Sequence, residues 1–263
     1  MSDTYSFCSG ESPLLISIPH DGRELAPGMS ERMTEVGLEL PDTDWHVRKL
    51  YGFAGEIEAS VLAAKFSRYV VDLNRPPTDA ALYEGQVSTG LCPSATFAGL
   101  GIYKPNESCG PDEQRMRVET YWKPYHTKLS QALSSLREKH GYALLWDAHS
   151  IRSEIPHLFQ GVLSDLNLGT NGGVSCDIGL ENAAFRVAQQ SNYSAVLNGR
   201  FTGGYITRTY GSPSRGVHAA QLELAQHIYM DESSYRYNEV AATKLSRTIR
   251  QIVQAFIDEA HRI

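Results

Sequence analysis

The sequence predicts a single α/β domain spanning residues 1–263, with a central, mostly parallel β-sheet flanked by helices. Three observations predict it. Short, nearly continuous apolar runs recur along the chain, the pattern of strands buried on both faces. Longer segments with apolar residues three and four positions apart separate those runs, as in alternating β and α architectures. No internal repeat or low-complexity linker divides the 263 residues, a length that supports one sizeable core.

The elements follow in order. Leu14–Pro19 (LLISIP) reads as the first buried strand. Val47–Phe66 places Leu50, Phe53, Ala54, Ile57, Val61 and Leu62 on one helical face, with Gly52 and Gly55 marking a bend. Tyr69–Leu73 (YVVDL) is β-branched and aromatic, and reads as the second strand. Residues 75–113, rich in Pro, Gly, Ser and Thr, form a long irregular excursion of the kind that often covers active sites. Asp112–Lys139 is helical through Met116, Val118, Tyr121, Trp122, Tyr125, Leu129, Leu133 and Leu136, and Pro124 kinks or divides it. Its YWKPYH stretch, 121–126, reads as core packing. Tyr142–Trp146 (YALLW) is the third strand, and His157–Leu163, Ala195–Leu197 and Tyr205–Tyr210 are weaker strand candidates. Val217–Leu224 fits a strand or a helix. Ile178–Ser191 and Tyr235–Arg262 complete the helices, the last with Leu245, Ile249, Ile252, Val253, Phe256 and Ile257 in register. His126, His140, His227 and His261 fall in helical patterns and are expected at the surface or in grooves.

Composition narrows the function. Hydrophobic residues make up 41% and charged residues 21%, ordinary for a soluble globular protein. The net charge of −6, without any Lys/Arg block, predicts neither nucleic-acid nor anionic-membrane binding. No stretch approaches the ~18 apolar residues of a membrane span, and MSDTYSFCSGESP has neither the basic nor the apolar region of a secretory signal. Cys8, Cys92, Cys109 and Cys176 are scattered, with no CxxC pair, which argues against a thiolate metal site and fits reduced thiols in a cytoplasmic protein. GxSxG, GxGxxG and GxxxxGK[ST] are all missing, so serine-hydrolase and nucleotide chemistry lose their usual signatures. Oligomeric state stays open.

Polar residues gather where the strands end, the place where open α/β sheets bind ligands. SIPHDG, 17–22, carries His20. PDTDWH, 41–46, carries Asp42 and Asp44 ahead of a helix, where one acidic residue is explained as an N-cap but two are not. LLWDAHS, 144–150, ends in Asp147 and His149, whose i, i+2 spacing puts both on one strand face, the carboxylate placed to orient the ring. His20, Asp44 and His149 together make a three-ligand set that leaves one tetrahedral zinc position open, although two histidines and a carboxylate also suit non-haem iron(II). Glu24 and Asp42 are the other carboxylates that could complete it. VVDLNRPP, 70–77, offers Asn74 and Arg75, the latter able to bind a carboxylate bidentately. Glu223 lies between Leu222 and Leu224; on a strand it would face away from both, and burial would raise its pKa, as suits a general base. Arg152, Arg208, Arg215 and His218 complete the cationic pool for an anionic substrate. Each of these residues also has an ordinary structural reading: a solvated helix-face glutamate, an ion-paired arginine, or a histidine at a strand end.

SIPHDG at 17–22, DTDWHV at 42–47, VVDLNRPP at 70–77, YWKPYH at 121–126, DAHS at 147–150 and QLELAQ at 221–226 stand in an order that resembles the N-formylglutamate amidohydrolase family across about residues 14 to 230. The resemblance implies a phosphorylase/hydrolase-like fold similar to zinc carboxypeptidases, with a mixed sheet of about eight strands. It implies Zn2+ on His20, Asp44 and His149, with Glu223 as general base. The implied reaction is hydrolysis of N-formyl-L-glutamate to formate and glutamate, the last step of a histidine degradation route. Asn74, Arg75, Arg152, Arg208, Arg215 and His218 would bind this substrate, with Arg75 also stabilising the oxyanion. Two other readings keep the same ligands. One is a zinc amidohydrolase for another N-acyl amino acid or short peptide; the other is an iron(II) dioxygenase.

Overall fold

A computed structural model describes residues 4–80 and 89–262. Seven strands form the main sheet: β1 (Tyr5–Cys8), β2 (Leu14–Ile18), β3 (Ser60–Ala64), β4 (Ala143–Ile151), β5 (Leu166–Gly169), β6 (Ala195–Leu197) and β7 (Val217–Ala225). Their order is β1-β3-β2-β4-β7-β5-β6. β3, β2, β4 and β7 run parallel to one another, while β1 and β5 pair antiparallel with β3 and β7. The expected mixed, mostly parallel sheet is therefore present. A separate two-stranded ladder joins β8 (Met230–Asp231) and β9 (Arg236–Tyr237).

The helices are α1 (Met29–Arg32), α2 (Glu35–Leu38), α3 (Val47–Leu50), α4 (Pro111–Arg117), α5 (Lys123–His140), α6 (Ile178–Gln190), α7 (Tyr205–Tyr210) and α8 (Glu239–Ala260). Period-2 alternation divides the sheet residues between two cores. Leu14, Ile16, Ile18, Leu144, Trp146, Ala148, Ala220, Leu222 and Leu224 pack under α6 and α8. Leu15, Leu62, Leu145 and Ala219 meet Tyr125, Leu129, Leu133 and Leu136 of α5 on the other face. Both faces of the central strands are covered, which is why their sequences read as unbroken apolar runs. Among the described residues, no helix is long and apolar enough to cross a membrane.

Several elements differ from expectation. Val47–Phe66 is not one helix: α3 is followed by a 3-10 turn at Gly52–Ile57, a left-handed Glu58 (φ 53°), and then β3. The apparent single face serves two layers, since Val47, Leu50 and Phe53 join the α8 core while Leu62 and Ala64 join the α5 core. The alanine-rich β3 has weak intrinsic strand preference and is held by pairing with β1 and β2 on either side. Tyr205–Tyr210 is helix α7 rather than strand. His157–Leu163 is a turn whose Leu158 and Phe159 amides both bond the Ile155 carbonyl; it packs with Phe97 and Ile151, and the strand follows at β5. Tyr69–Leu73 is buried but pairs with no strand among the described residues.

Asp112–Lys139 is nearly continuous, but α4 passes into a π turn at Val118–Trp122 immediately before Pro124 in the first turn of α5. There the missing proline N–H costs little, and the wider turn takes up the ring. Tyr121, Trp122 and Tyr125 are core residues, as expected. His126 is buried rather than superficial. The irregular excursion follows the expected course where it is described, with residues 81–88 outside the described residues.

Candidate metal centre

Because β2, β4 and β7 are parallel and in register, their carboxyl ends share one edge, with Ser17 opposite Asp147 and His149 opposite Glu223. On the α5 side of the sheet the apolar residues Leu15, Leu145 and Ala219 give way to Ser17, Asp147, His149, Gln221 and Glu223 further along the same strands. The lone polar stretch after Trp146 is thus the floor of a cleft.

His20, just past β2, and His149, within β4, lie with ring centroids 5.0 Å apart. Asp44 comes from the loop before α3 and stands between them. Its Oδ2 is 3.1 Å from His149 Nδ1 and 3.7 Å from His20 Nδ1. The three residues are buried, and one ligand atom from each lies within 4.8 Å of the others. Each imidazole has a carboxylate behind it: His20 Nε2 is 2.8 Å from Asp72 Oδ1, and His149 Nε2 is 3.0 Å from Asp147 Oδ2. Asp72 also accepts from Arg68 Nη2 (2.6 Å) and from its neighbour's amide, Asn74 N (2.9 Å). When each Nε2–H donates to its carboxylate, both Nδ1 lone pairs point toward Asp44, the arrangement by which carboxylates orient metal-bound histidines.

The helix-capping explanation for Asp44 does not hold here. Asp21 takes that work, accepting from His46 N at 3.1 Å and Arg48 N at 3.4 Å. Asp42 accepts from the Tyr69 hydroxyl (2.7 Å) and Phe97 N (2.8 Å), and Glu24 is exposed in a bridge with Phe66. Neither belongs to the ligand group.

Electrostatics also favour a cation. Burial alone would raise the Asp44 carboxyl, but His20 and His149 outweigh it and hold the group below the ordinary carboxylate range. Against the same burial, Arg68 and then His20 hold Asp72 low. Burial opposes protonation of His149, yet Asp147 and Asp44 raise its proton affinity well above normal. Asp44 Oδ1 and Asp147 Oδ1 are buried without a hydrogen-bond partner. A buried group with excess carboxylate, two aligned imidazoles and carboxylate oxygens without hydrogen-bond partners fits a divalent ion.

Glu223 lines the same cleft. As the strand reading requires, it faces away from Leu222 and Leu224. Its Oε2 accepts from Gln221 Nε2 at 3.3 Å, and burial raises its pKa to about 8. Asn74 and Arg75 line the cleft as well. Asn74 Oδ1 accepts from Ile206 N (2.8 Å), which leaves its amide nitrogen packed 3.1 Å from His149 Nε2, whose hydrogen goes to Asp147. Gly204 makes room for it, since a Cβ there would lie 2.3 Å from Asn74 Nδ2. Arg75 Nε is buried without a hydrogen-bond partner.

The rest of the cationic pool lies elsewhere. His218 and Arg215 are at the opposite, amino end of β7, where His218 Nδ1 accepts from Asp177 N and Arg137 bonds the Arg215 carbonyl. Arg208 donates to Gly203 O and Thr202 Oγ1, and Arg152, one residue past β4, does not line the cleft among the described residues. Spacing could not separate these because proximity in sequence to a strand does not say which end of it a residue occupies. Two cleft arginines were missed. Arg68, four residues before Asp72 and paired with it, had a visible i, i+4 signal; Arg200, in a loop before Phe201, had none. Gln221 was findable by the period-2 pattern that marks Glu223.

The family model described as N-formylglutamate amidohydrolase matches residues 12–230. The N-formylglutamate deformylases of Pseudomonas putida and Pseudomonas aeruginosa are each 48% identical to this chain over 259 residues, covering 98% of it and 97% of each relative. The fold is similar to that of a crystal structure of N-formylglutamate amidohydrolase from Ralstonia eutropha JMP134, with a TM-score of 0.81 at 22% identity over 99% of this chain and 98% of that one. With most of its length matched by the family model and by relatives at nearly half identity, the chain belongs to the N-formylglutamate amidohydrolase family.

Proposed function

We propose that this chain hydrolyses N-formyl-L-glutamate to formate and L-glutamate, with Zn2+ held by His20, Asp44 and His149. The observation that carries the reading is Glu223 buried opposite His149 across β4 and β7, beside a His-Asp-His group in a member of this family. A zinc ion with these three protein ligands and one open position supplies Lewis acidity and lowers the pKa of water to about 7. Glu223 accepts the proton of the attacking water and returns it to the departing amine nitrogen. Its raised pKa suits both transfers. Arg75, which lines the cleft and has a buried Nε without a hydrogen-bond partner, donates to the developing oxyanion or the substrate's α-carboxylate. Arg200 sits on the rim against the rings of Phe159 and Phe201 and takes the side-chain carboxylate.

Formate release from N-formyl-L-glutamate, compared with N-acetyl-L-glutamate and N-formyl-L-aspartate, tests the reading. Equal rates with and without oxygen are expected; oxygen-dependent turnover with bound iron would replace it by dioxygenase chemistry. Stripping with a chelator should abolish turnover, and added zinc should restore it. The Arg200 assignment predicts that Arg200→Ala lowers kcat/KM for N-formyl-L-glutamate roughly 10- to 100-fold, as loss of a charged hydrogen bond does. N-formyl-L-norvaline, which lacks the side-chain carboxylate, should be nearly unaffected; equal losses on both substrates would remove the assignment. Gly204→Ala should displace Asn74 and cost roughly 10- to 100-fold in kcat with metal content unchanged, which kinetics beside metal analysis will check.

A further inference from the structure

The segment 69–75 delivers Asp72, Asn74 and Arg75 to the cleft, yet its carbonyls are not satisfied by a sheet. Side chains from the helical run α4–π turn–α5 catch them. Arg117 Nη1 donates to the Tyr69 and Val70 carbonyls at 3.2 and 3.0 Å. His126 Nε2 donates to the Leu73 carbonyl at 2.8 Å, and Trp122 Nε1 to the Arg75 carbonyl at 3.0 Å. Trp122 and His126 are four residues apart and stacked, with centroids 3.7 Å apart and planes 20° from parallel. The two carbonyls they hold flank Asn74 on either side. The Asn74 amide then does two things: Oδ1 takes Ile206 N, an otherwise orphaned first-turn donor of α7, and Nδ2 packs 3.1 Å from the His149 Nε2 edge.

The His126 tautomer is fixed as well. The Leu73 carbonyl can only accept, so Nε2 carries the hydrogen and Nδ1 of the neutral ring is an acceptor, 3.0 Å from the Tyr210 hydroxyl, which also reaches the His126 carbonyl at 3.3 Å. Burial lowers this histidine to about 4, and it stays neutral at physiological pH.

We propose that Trp122 and His126 are positioning residues for the hydrolysis, acting through the Leu73 and Arg75 carbonyls to set Asn74 and Arg75 in the cleft. The inference rests on the reading of that cleft as an amidohydrolase site. Neither side chain touches the proposed ligands or lines the cleft among the described residues. Their contribution is angular: each fixes one end of a three-residue stretch whose middle side chain caps α7 while packing against the His149 ring.

The test uses the full-length, zinc-loaded protein. Trp122→Phe keeps the stacked ring and removes only the N–H; His126→Ala removes the second donor, and His126→Gln restores one. Trp122→Phe and His126→Ala are expected to lower kcat on N-formyl-L-glutamate about tenfold or more with bound zinc unchanged, and His126→Gln to recover part of that loss. Combined with Asn74→Ala, the losses should fail to multiply, as expected of residues acting through one another. Exchange of the Ile206 amide hydrogen should accelerate about tenfold or more in Trp122→Phe, His126→Ala and Asn74→Ala alike. Unchanged kcat and Ile206 exchange, with only a lower Tm, would overturn the proposal, as would losses that multiply with Asn74→Ala. If wild type releases no formate, the amidohydrolase reading fails on that result, and Ile206 exchange still decides whether the two rings hold Asn74. Trp122→Phe carries the test if His126→Ala does not fold.

Discussion

Glu223→Gln is expected to keep its bound metal and lose roughly 10²- to 10⁴-fold in kcat, the contribution typical of a positioned general base. The substitution preserves size and leaves the β4–β7 pairing untouched, because His149 and Glu223 meet there through backbone. It removes the only function this side chain is assigned, accepting and returning a proton. Glutamine can take the place of the acceptor of the Gln221 amide at Oε2, so the local hydrogen bond survives. The pH profile gives a second, independent reading. A base must be ionised, so kcat/KM should fall as pH drops through the Glu223 pKa. Burial raises that value to about 8, with Asp44 and Asp147 adding to the rise and His149 and Arg68 opposing it. A divalent cation next to the carboxylate lowers it further, so the limb should lie below about 8 in the zinc-loaded enzyme. In Glu223→Gln the limb should disappear from the residual rate. Full activity, or an unchanged acid limb, would take the role of base away from Glu223.

The fold and site were legible in the sequence to different depths. His20 and His149 stood out because nothing apolar explains an imidazole directly after LLISIP or within LLWDAHSI, and parallel register then brings the two ends together. Glu223 was legible because one carboxylate alternating with leucines has meaning only on a strand. Asp44 was ambiguous with Asp42, since both stand before a helix; the structure separates them through Asp21, whose capping bonds come from a different loop. Tyr69–Leu73 shows why other features were hidden. It has strand composition because it is buried, but its carbonyls bond the side chains of Arg117 and His126, about fifty residues away in the chain. Such long-range satisfaction leaves no local period. The same holds for β3, where pairing on both sides overrides the helical spacing, and for Arg200, which a loop of no pattern brings to the rim.

Asp44→Asn and Asp42→Asn, compared side by side, should differ most in metal affinity. Both replace a buried carboxylate by its neutral near-isostere two residues apart. Asp44 Oδ2 is shared by His149 Nδ1 and Ser150 N, with His20 Nδ1 close by, and Arg68 Nη1 stands 3.5 Å from its other oxygen. Its charge is kept ionised against burial, so removing it deletes both the proposed anionic ligand and the counter-charge of two imidazoles. Loss of even an outer partner of a metal-bound histidine typically costs 10- to 100-fold in affinity, so this loss should be at least about 100-fold. Asp42 behaves in the opposite way. Burial is the largest influence on it and raises its pKa, and its Oδ2 serves as acceptor for Tyr69 and Phe97. An asparagine oxygen can still accept from both, so Asp42→Asn should bind metal as wild type does and lose roughly 1–3 kcal/mol of stability at most. Zinc titration of chelator-stripped protein, with denaturant unfolding of each variant, measures both effects. If Asp42→Asn lost the metal and Asp44→Asn kept it, the ligand assignment would be reversed and the role of His20 Nδ1 and His149 Nδ1 would fall with it.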